Sequence, residues 1–328
     1  MDISDLKARV DQISSTDFET VALDVFRYQS RHNLVYQRFL EHLQTDVANV
    51  DNVGDIPYLP IEFFKNFEIT TGQFNPALVF ESSSTTGIGV SKHFVDDPQR
   101  YTDSFVRSFY YAFGNPSHYC HLALLPSYLE RQHSSLVYQV DHFIKNSDYP
   151  QSAFYLSEMD ALYKQLLSNE EAGIPTVLWG VTYALLDMAE RYSMQLKHTR
   201  IIETGGMKGK RKEITRYELH EILSKAFGVA SIGGEYGMTE LLSQAYSSAD
   251  GIYRCPPQLR IIIREINDPF SKPLMGRHGV VNVCDLSNLQ SCAFIATSDL
   301  GKVHEDGSFE ILGRVDYSDT RGCNLLVI

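Results

Sequence analysis

Five consecutive hydroxyl residues, Ser82, Ser83, Ser84, Thr85 and Thr86, run into Gly87, Ile88 and Gly89 directly after the apolar run ALVFE. Short side-chain donors next to glycines leave backbone N–H groups free at close range, a composition that suits a loop wrapping phosphate oxygens. The segment is not a Walker A loop, because GxxxxGK[ST] is absent. The nearest Walker-like piece, Gly205-Gly206-Met207-Lys208-Gly209-Lys210, is one residue short and is followed by Arg211. Taken alone, a Ser/Thr/Gly run also reads as a flexible turn. A second stretch, Gly233-Gly234-Glu235-Tyr236-Gly237-Met238-Thr239-Glu240, follows the short strand-like run VASI. An aromatic ring, a hydroxyl and a carboxylate at a strand end can stack on a base, bond a phosphate and hold a metal. Mg²⁺ takes one or two carboxylates when phosphate oxygens supply the rest. The competing account is a glycine-rich turn into a helix capped by Thr239. Two further pieces are Thr297-Ser298-Asp299-Leu300-Gly301 and Gly313-Arg314-Val315-Asp316. There an Asp can accept from ribose hydroxyls and an Arg can donate to ribose or phosphate. Each is also an ordinary surface turn.

These stretches need elements to hold them. The first 50 residues read as helix. Thr16 and Glu19 have capping-box spacing, and Phe18, Val21, Ala22, Val25 and Phe26 share one helical face. Leu34 to Leu43 forms a second amphipathic segment, followed by an extended stretch with Pro57 and Pro60. From residue 76, short apolar runs alternate with helical patterns: ALVFES, YCHLALLP, SAFYL, PTVLWG, TRIIETGG and VASIGG. That alternation predicts an α/β fold with a substantially parallel sheet, whose strand ends hold ligands. Thr215 and Glu218 have capping-box spacing, and Gly228 stands where a C-cap glycine belongs. After about residue 257 the pattern turns strand-rich. The expected organisation is a helical segment over 1–75, an α/β core over 76–257 and a β-rich subdomain over 258–328.

Composition sets the class. At 328 residues with 43% hydrophobic and 21% charged residues, the chain can bury a large core and is not disordered. Twenty-nine Lys and Arg against 41 Asp and Glu leave a net charge of −12, which argues against general nucleic-acid binding. Five cysteines (Cys120, Cys255, Cys284, Cys292 and Cys323) show no CxxC spacing, so a disulfide scaffold or structural zinc site is not expected. The charged start without an apolar h-region, and apolar runs too short for a bilayer, give the expectation of a cytoplasmic protein without a membrane span. His118, Cys120 and His121 are close in sequence, but strand alternation puts Cys120 and His121 on opposite faces. His133 follows Leu-Pro-Ser-Tyr-Leu-Glu-Arg-Gln in a strand-to-helix connection and also reads as a polar helix-start residue. Trp179, Gly180 and Tyr183 line either a ligand pocket or the core.

In order, the four stretches resemble the core motifs of the adenylate-forming superfamily, which includes acyl-CoA synthetases, peptide-synthetase adenylation domains and luciferase. SSSTTGIGVSK looks like its phosphate loop, EYGMTE like its YGxTE motif, and GRVD like its GRxD hinge. TSDLG is similar to its TGD motif, with Ser298 where the family has Gly, and ETGGMKGK resembles the loop bordering the adenine. Large members continue well past GRxD into a small mobile domain that carries a catalytic lysine. This sequence continues for twelve residues past Asp316, so that domain and its lysine are expected to be absent, with Lys208 and Lys210 as candidate substitutes. The near-terminal Arg321-Gly322-Cys323-Asn324-Leu325 is similar to the LuxE-type acyl-protein synthetases, the synthetase subunit of bacterial luminescence fatty acid reductase.

The resemblance implies that a fatty acid and MgATP form an acyl-adenylate. The acyl group then passes to Cys323 as a thioester and on to a reductase or other carrier partner. It implies roles residue by residue. Ser82, Ser83, Ser84, Thr85, Thr86 and Gly87 hold the β- and γ-phosphates. Gly205 and Gly206 border the adenine; Tyr236, with Gly237, stacks on it. Thr239 bonds the α-phosphate, Glu240 positions Mg²⁺, and Asp299 and Arg314 bind the ribose. Two other functions stay open: an acyl- or aryl-CoA ligase relative, and an inactive nucleotide- or acyl-binding subunit of a complex. Cys323 itself also reads as a small apolar residue of a terminal strand.

Overall fold

The computed structural model describes residues 2–82, 89–125, 133–205, 211 and 214–315. It opens with helices α1 (Ile3–Asp11), α2 (Phe18–His32) and α3 (Leu34–His42), and the apolar face expected of α2 is buried in full. The capping box expected at Thr16 and Glu19 does not form. Asp17 is the N-cap, and Glu19 is drawn away: it accepts from the Val53 N–H at 2.6 Å and pairs with Arg260 at 3.1 Å. A two-residue strand β1 (Leu59–Pro60) and the short helix α4 (Phe63–Asn66) follow.

An antiparallel hairpin, β2 (Leu78–Glu81) and β3 (Lys92–Val95), stands apart as a two-stranded sheet. The alternation then appears as read: α5 (Pro98–Phe113), β4 (Cys120–Leu124), α6 (Ser135–Lys145), β5 (Ala153–Tyr155), α7 (Met159–Glu171) and β6 (Thr176–Gly180). It continues with α8 (Thr182–Arg191), β7 (Thr199–Glu203), α9 (Arg216–Phe227) and β8 (Gly233–Tyr236). The Thr215–Glu218 capping box forms on both arms, and Gly228 takes φ 65°, the left-handed turn a glycine accepts without strain. The antiparallel remainder is β9 (Ala245–Ser247), β10 (Ile252–Arg254), β11 (Leu259–Arg264), β12 (His278–Asp285), β13 (Phe294–Val303) and β14 (Phe309–Arg314).

Among the described residues one sheet joins everything but the hairpin, in the order β11-β12-β13-β14-β10-β9-β8-β7-β6-β4-β5, with β1 beside β13. Strands β5, β4, β6, β7 and β8 run parallel, and from β8 to β9 the pairing turns antiparallel. The sheet is therefore mixed. Helical crossovers cover both faces of the parallel half, which is why β4 and β6 are apolar and buried at nearly every position. Trp179 lies in that core against Phe109, Phe143, His121 and Tyr246. His121 is a satisfied core residue: Nε2 donates to the Pro116 carbonyl at 2.8 Å and Nδ1 accepts from Trp179 at 3.1 Å. Burial lowers its pKa to about 4. Among the described residues no group of His, Cys, Asp or Glu is arranged to hold a metal by itself, and no helix is long and apolar enough to cross a membrane.

A second core joins the N-terminal helices to the antiparallel half. Its polar rivet is the buried Gln29 of α2. Its amide donates to the carbonyls of Asn288, Leu289 and Ser291 and accepts from the Ala293 N–H. Those four bonds, with donors from Asn33 and Thr71 to the Ser291 carbonyl, pair the backbone of a buried turn.

Candidate active site

The strand expected at VASI lies four residues later, so Gly233 and Gly234 are strand rather than turn. The reason is close approach. A Cβ at Gly233 would come within 2.7 Å of the Ser247 carbonyl, and one at Gly234 within 2.5 Å of the Tyr253 hydroxyl. No helix follows Thr239 either. The backbone N–H groups of Leu242 and Ser243 both donate to Asp285, at 2.8 Å each, which holds the chain in an irregular turn.

That arrangement brings three motifs together. Tyr236 on β8 donates its hydroxyl to Asp299 Oδ2 on β13 at 2.9 Å. Arg314 on β14, the register partner of Asp299, donates Nε to Oδ1 at 3.1 Å. Each carboxylate oxygen thus keeps acceptor capacity for another donor. Tyr236 is 8% exposed, with Tyr253 and Phe309 edge-on against its ring. Burial and then the Asp299 charge push its phenol well above the usual range, so it stays a donor. The Arg314 side chain is 83% exposed, a cation anchored at its base and free at its tip.

Glu240 is 3% exposed, and burial raises its pKa. The Ser91 hydroxyl, its own backbone N–H, and the charges of Lys65 and Arg314 pull the other way. Ser91 and Ser82 close the β2–β3 hairpin: the Ser82 N–H donates to the Ser91 carbonyl, and the Ser91 N–H to Ser82 Oγ, both at 3.0 Å. The end of the hydroxyl-rich loop is thereby tied to Glu240. The Thr239 carbonyl accepts from His93 Nδ1 at 2.7 Å, and His93 Nε2 lies 3.1 Å from Asn288 Oδ1. Burial outweighs both contacts and lowers the His93 pKa to about 4. Asn288 also donates to the Glu240 carbonyl at 2.7 Å. Gln29 fixes the Asn288 turn, so the N-terminal helices support the Thr239–Glu240 backbone from behind.

Gly205 takes φ 80° and donates its N–H to Glu203 at 2.8 Å. Of the residues expected to act, Ser82, Gly205, Tyr236, Gly237, Thr239, Glu240, Asp299 and Arg314 are described. Ser83, Ser84, Thr85, Thr86, Gly87, Gly206, Lys208, Lys210 and Cys323 lie outside the described residues. Sequence reading missed Lys65, His93 and Asn288, which carry no motif and reach the site only through folding.

The family model for LuxE acyl-protein synthetase matches residues 7–328. No curated protein matches the chain by sequence. Among solved structures, ATP-bound MatB from Rhodopseudomonas palustris is similar at 19% identity and TM-score 0.54, over 72% of this chain and 47% of that one. 2-Hydroxyisobutyryl-CoA ligase with 2-HIB-AMP and CoA matches at 13% identity and TM-score 0.68, over 94% and 70%. AMP-bound O-succinylbenzoate coenzyme A synthetase (MenE) from Bacillus subtilis matches at 17% and 0.52, over 73% and 50%. At such identities the likeness is one of fold, and the chain spans about half the length of MatB and MenE. The family match covers nearly the whole sequence: the chain belongs to the LuxE acyl-protein synthetase family.

Proposed function

We propose that this chain activates a carboxylic acid with ATP and passes the acyl group to a thiol. The observation that carries the reading is the Tyr236–Asp299–Arg314 cluster beside Glu240, built from three motifs and tied by Ser91 to the hydroxyl-rich loop. In the reaction, the acid's carboxylate attacks the α-phosphorus and pyrophosphate leaves. A thiolate then attacks the acyl carbon and AMP leaves. Both steps need charge stabilised and groups aligned more than they need protons moved.

The residues divide the work. Asp299 and Arg314 take the ribose, and Tyr236, Gly205 and Gly206 the adenine. Ser82 to Gly87 hold the outer phosphates, and the Thr239 hydroxyl takes the α-phosphate. Glu240 offers a single carboxylate, which fits the share Mg²⁺ takes when phosphate oxygens supply the other ligands. Mg²⁺ bound there would neutralise phosphate charge. Cys323 is the acceptor thiol in this reading, loaded with a fatty or other acyl group and discharging it to a reductase or carrier protein. An ordinary thiol is only a few per cent thiolate at neutral pH, yet it attacks an acyl-phosphate readily.

The test is intact-mass spectrometry after incubation with MgATP and a panel of acids, with pyrophosphate release followed in parallel. A hydroxylamine-labile mass gain on the native chain, absent from Cys323→Ser, is the expected result. Pyrophosphate release without an adduct would replace Cys323 by a soluble thiol such as coenzyme A. Neither signal with any acid would overturn the reading.

A further inference from the structure

Lys65 sits on the one-turn helix α4, and three ties fix that helix beside the candidate site. Strand β1, just before it, pairs in parallel with β13, with Leu59 opposite Ile295 and Pro60 opposite Ala296. The Ile61 N–H carries the pairing on to the Ala296 carbonyl at 2.9 Å. Glu62, the N-cap of α4, accepts from the Ser298 hydroxyl at 3.1 Å. Ser298 is the chain neighbour of Asp299, so this bond joins α4 to the carboxylate that holds Tyr236 and Arg314. Phe64 is buried edge-on against His93, which bonds the Thr239 carbonyl in turn. A single helical turn has little stability of its own, so these ties rather than propensity keep it in place.

The ties leave Lys65 exposed at the junction of two parts of the site. On one side is the end of the hydroxyl-rich loop: a Cβ added at Gly89 would lie 3.6 Å from the Lys65 Cβ. On the other is Glu240, which feels the Lys65 charge and is bonded by the Ser91 hydroxyl at the base of the same loop. The ammonium, on a flexible four-carbon stem, can reach towards either. Lys92, at the close of the same loop, is turned to Glu81 across the hairpin at 3.9 Å. A chain with a net charge of −12 must meet a triphosphate with positive charge placed locally. In the reading above, Arg314 goes to the ribose and Glu240 to Mg²⁺. Lys65 stands between Glu240 and the loop assigned to the outer phosphates.

We propose that Lys65 binds the β- and γ-phosphates of ATP and holds them as they depart as pyrophosphate. When the acid's carboxylate oxygen bonds the α-phosphorus, the bond from that phosphorus to the α–β bridging oxygen breaks. Its electron pair leaves on pyrophosphate. The ammonium offsets that charge through a charge-assisted hydrogen bond. This inference rests on the adenylation reading, and its test separates the two.

The experiment measures by calorimetry the affinity of AMP, ATP and inorganic pyrophosphate, with Mg²⁺ and again in EDTA. The proteins are the native chain, Lys65→Met and Lys65→Arg. Met keeps most of the stem and removes the charge, whereas Arg keeps the charge. Lys65 is exposed, so both variants should fold as the native chain does, and the unfolding midpoint checks this. The expected result is roughly tenfold or more weaker binding of ATP and pyrophosphate by Lys65→Met, with AMP within about twofold and the loss persisting in EDTA. Lys65→Arg should recover most of the affinity. In pyrophosphate release with a panel of acids, Lys65→Met should lower kcat/KM for ATP and leave KM for the acid unmoved. Unchanged ATP affinity overturns the inference. So does an equal loss for AMP, which would make Lys65 a support of the whole site. A loss seen only with Mg²⁺ also overturns it, because Lys65 would then act through Glu240 and the metal. If the native chain binds ATP but releases no pyrophosphate with any acid, the adenylation reading falls and the calorimetry still decides Lys65. If it binds neither nucleotide nor pyrophosphate, both fall.

Discussion

Two carboxyls, Asp285 at the end of β12 and Glu235 on β8, are covered by the same fold and treated in opposite ways. Asp285 is fully buried and accepts from four donors: the N–H groups of Leu242, Ser243 and Ser287, and the Ser243 hydroxyl at 2.7 Å. Burial still raises its pKa, but every lone pair that points inward has work. Glu235 has none. Asp285 shapes the turn after Glu240 that carries the candidate site, whereas Glu235 contributes nothing to the fold that a neutral side chain could not. The contrast separates a polar group that shapes a turn from one that the described fold leaves without a donor.

The largest expected effect follows from the Asp285 side of this contrast. Asp285→Ala leaves three backbone N–H groups and a hydroxyl without an acceptor, at about 1–3 kcal/mol each. The loss should reach about 5 kcal/mol in urea unfolding at pH 6. Glu235→Gln in the same assay should break no interaction and should gain about 1 kcal/mol, because at pH 6 the native fold already keeps a proton that the unfolded chain has released. A Glu235→Gln loss comparable to that of Asp285→Ala would erase the distinction.

Raising the pH brings the second effect. A Glu235 pKa of about 8 in the fold, against the ordinary 4.5, means the folded chain keeps a proton that the unfolded chain has released. Stability therefore falls as pH rises from 4.5 to 8 and levels off above. At 1.36 kcal/mol per unit, reduced because water reaches part of the residue, this is worth about 3 kcal/mol. Glu235→Gln should be more stable than the native chain by that amount at pH 8.5 and nearly equal at pH 4.5. On the acid side, His93 and His121 have pKa values lowered to about 4, so the unfolded chain takes protons the fold refuses. Stability falls from pH 6.5 down to 4 in both chains. Chemical unfolding from pH 4 to 9 checks both limbs, and an unchanged alkaline limb in Glu235→Gln would sink the assignment.

Asp299 is the intermediate case, with one donor on each oxygen and room for another. Asp299→Asn should weaken ATP binding by calorimetry roughly tenfold or more, since hydrogen bonds to a charged group contribute about 1.5–3 kcal/mol. Its unfolding should change by about 1 kcal/mol. Unaltered ATP affinity would remove Asp299 from the ribose role.

What could be read in the sequence follows the range of the interactions. The Thr215–Glu218 cap and the Gly228 turn depend on residues within one helix, and the strand–helix alternation records which faces are buried. All three were legible. Thr16 and Glu19 have the same spacing as Thr215 and Glu218 but form no cap, because Arg260 and the Val53 N–H compete for Glu19 from distant segments. Gly233 and Gly234 read as turn because a sequence does not display the Ser247 and Tyr253 atoms that exclude a side chain there. The meeting of Tyr236, Asp299 and Arg314 was foreshadowed only by the order of motifs. The support from Gln29 through Asn288 to Glu240 joins segments more than 250 residues apart and left no local mark.

The smallest effect tests whether the Glu235 carboxyl is held where it is described. A Cβ at Gly237 would meet the Glu235 oxygen and lie 3.0 Å from Gln244 Cγ. Gly237→Ala should therefore cost about 1–2 kcal/mol at pH 6, as overpacking does. Glu235→Ala removes the first obstacle and leaves the second, so Gly237→Ala should cost less in that background. A double-mutant cycle in urea should give a coupling of at least about 0.5 kcal/mol. Strict additivity would mean that the carboxyl swings away from Gly237 at little cost. It would then be a free group rather than a positioned one.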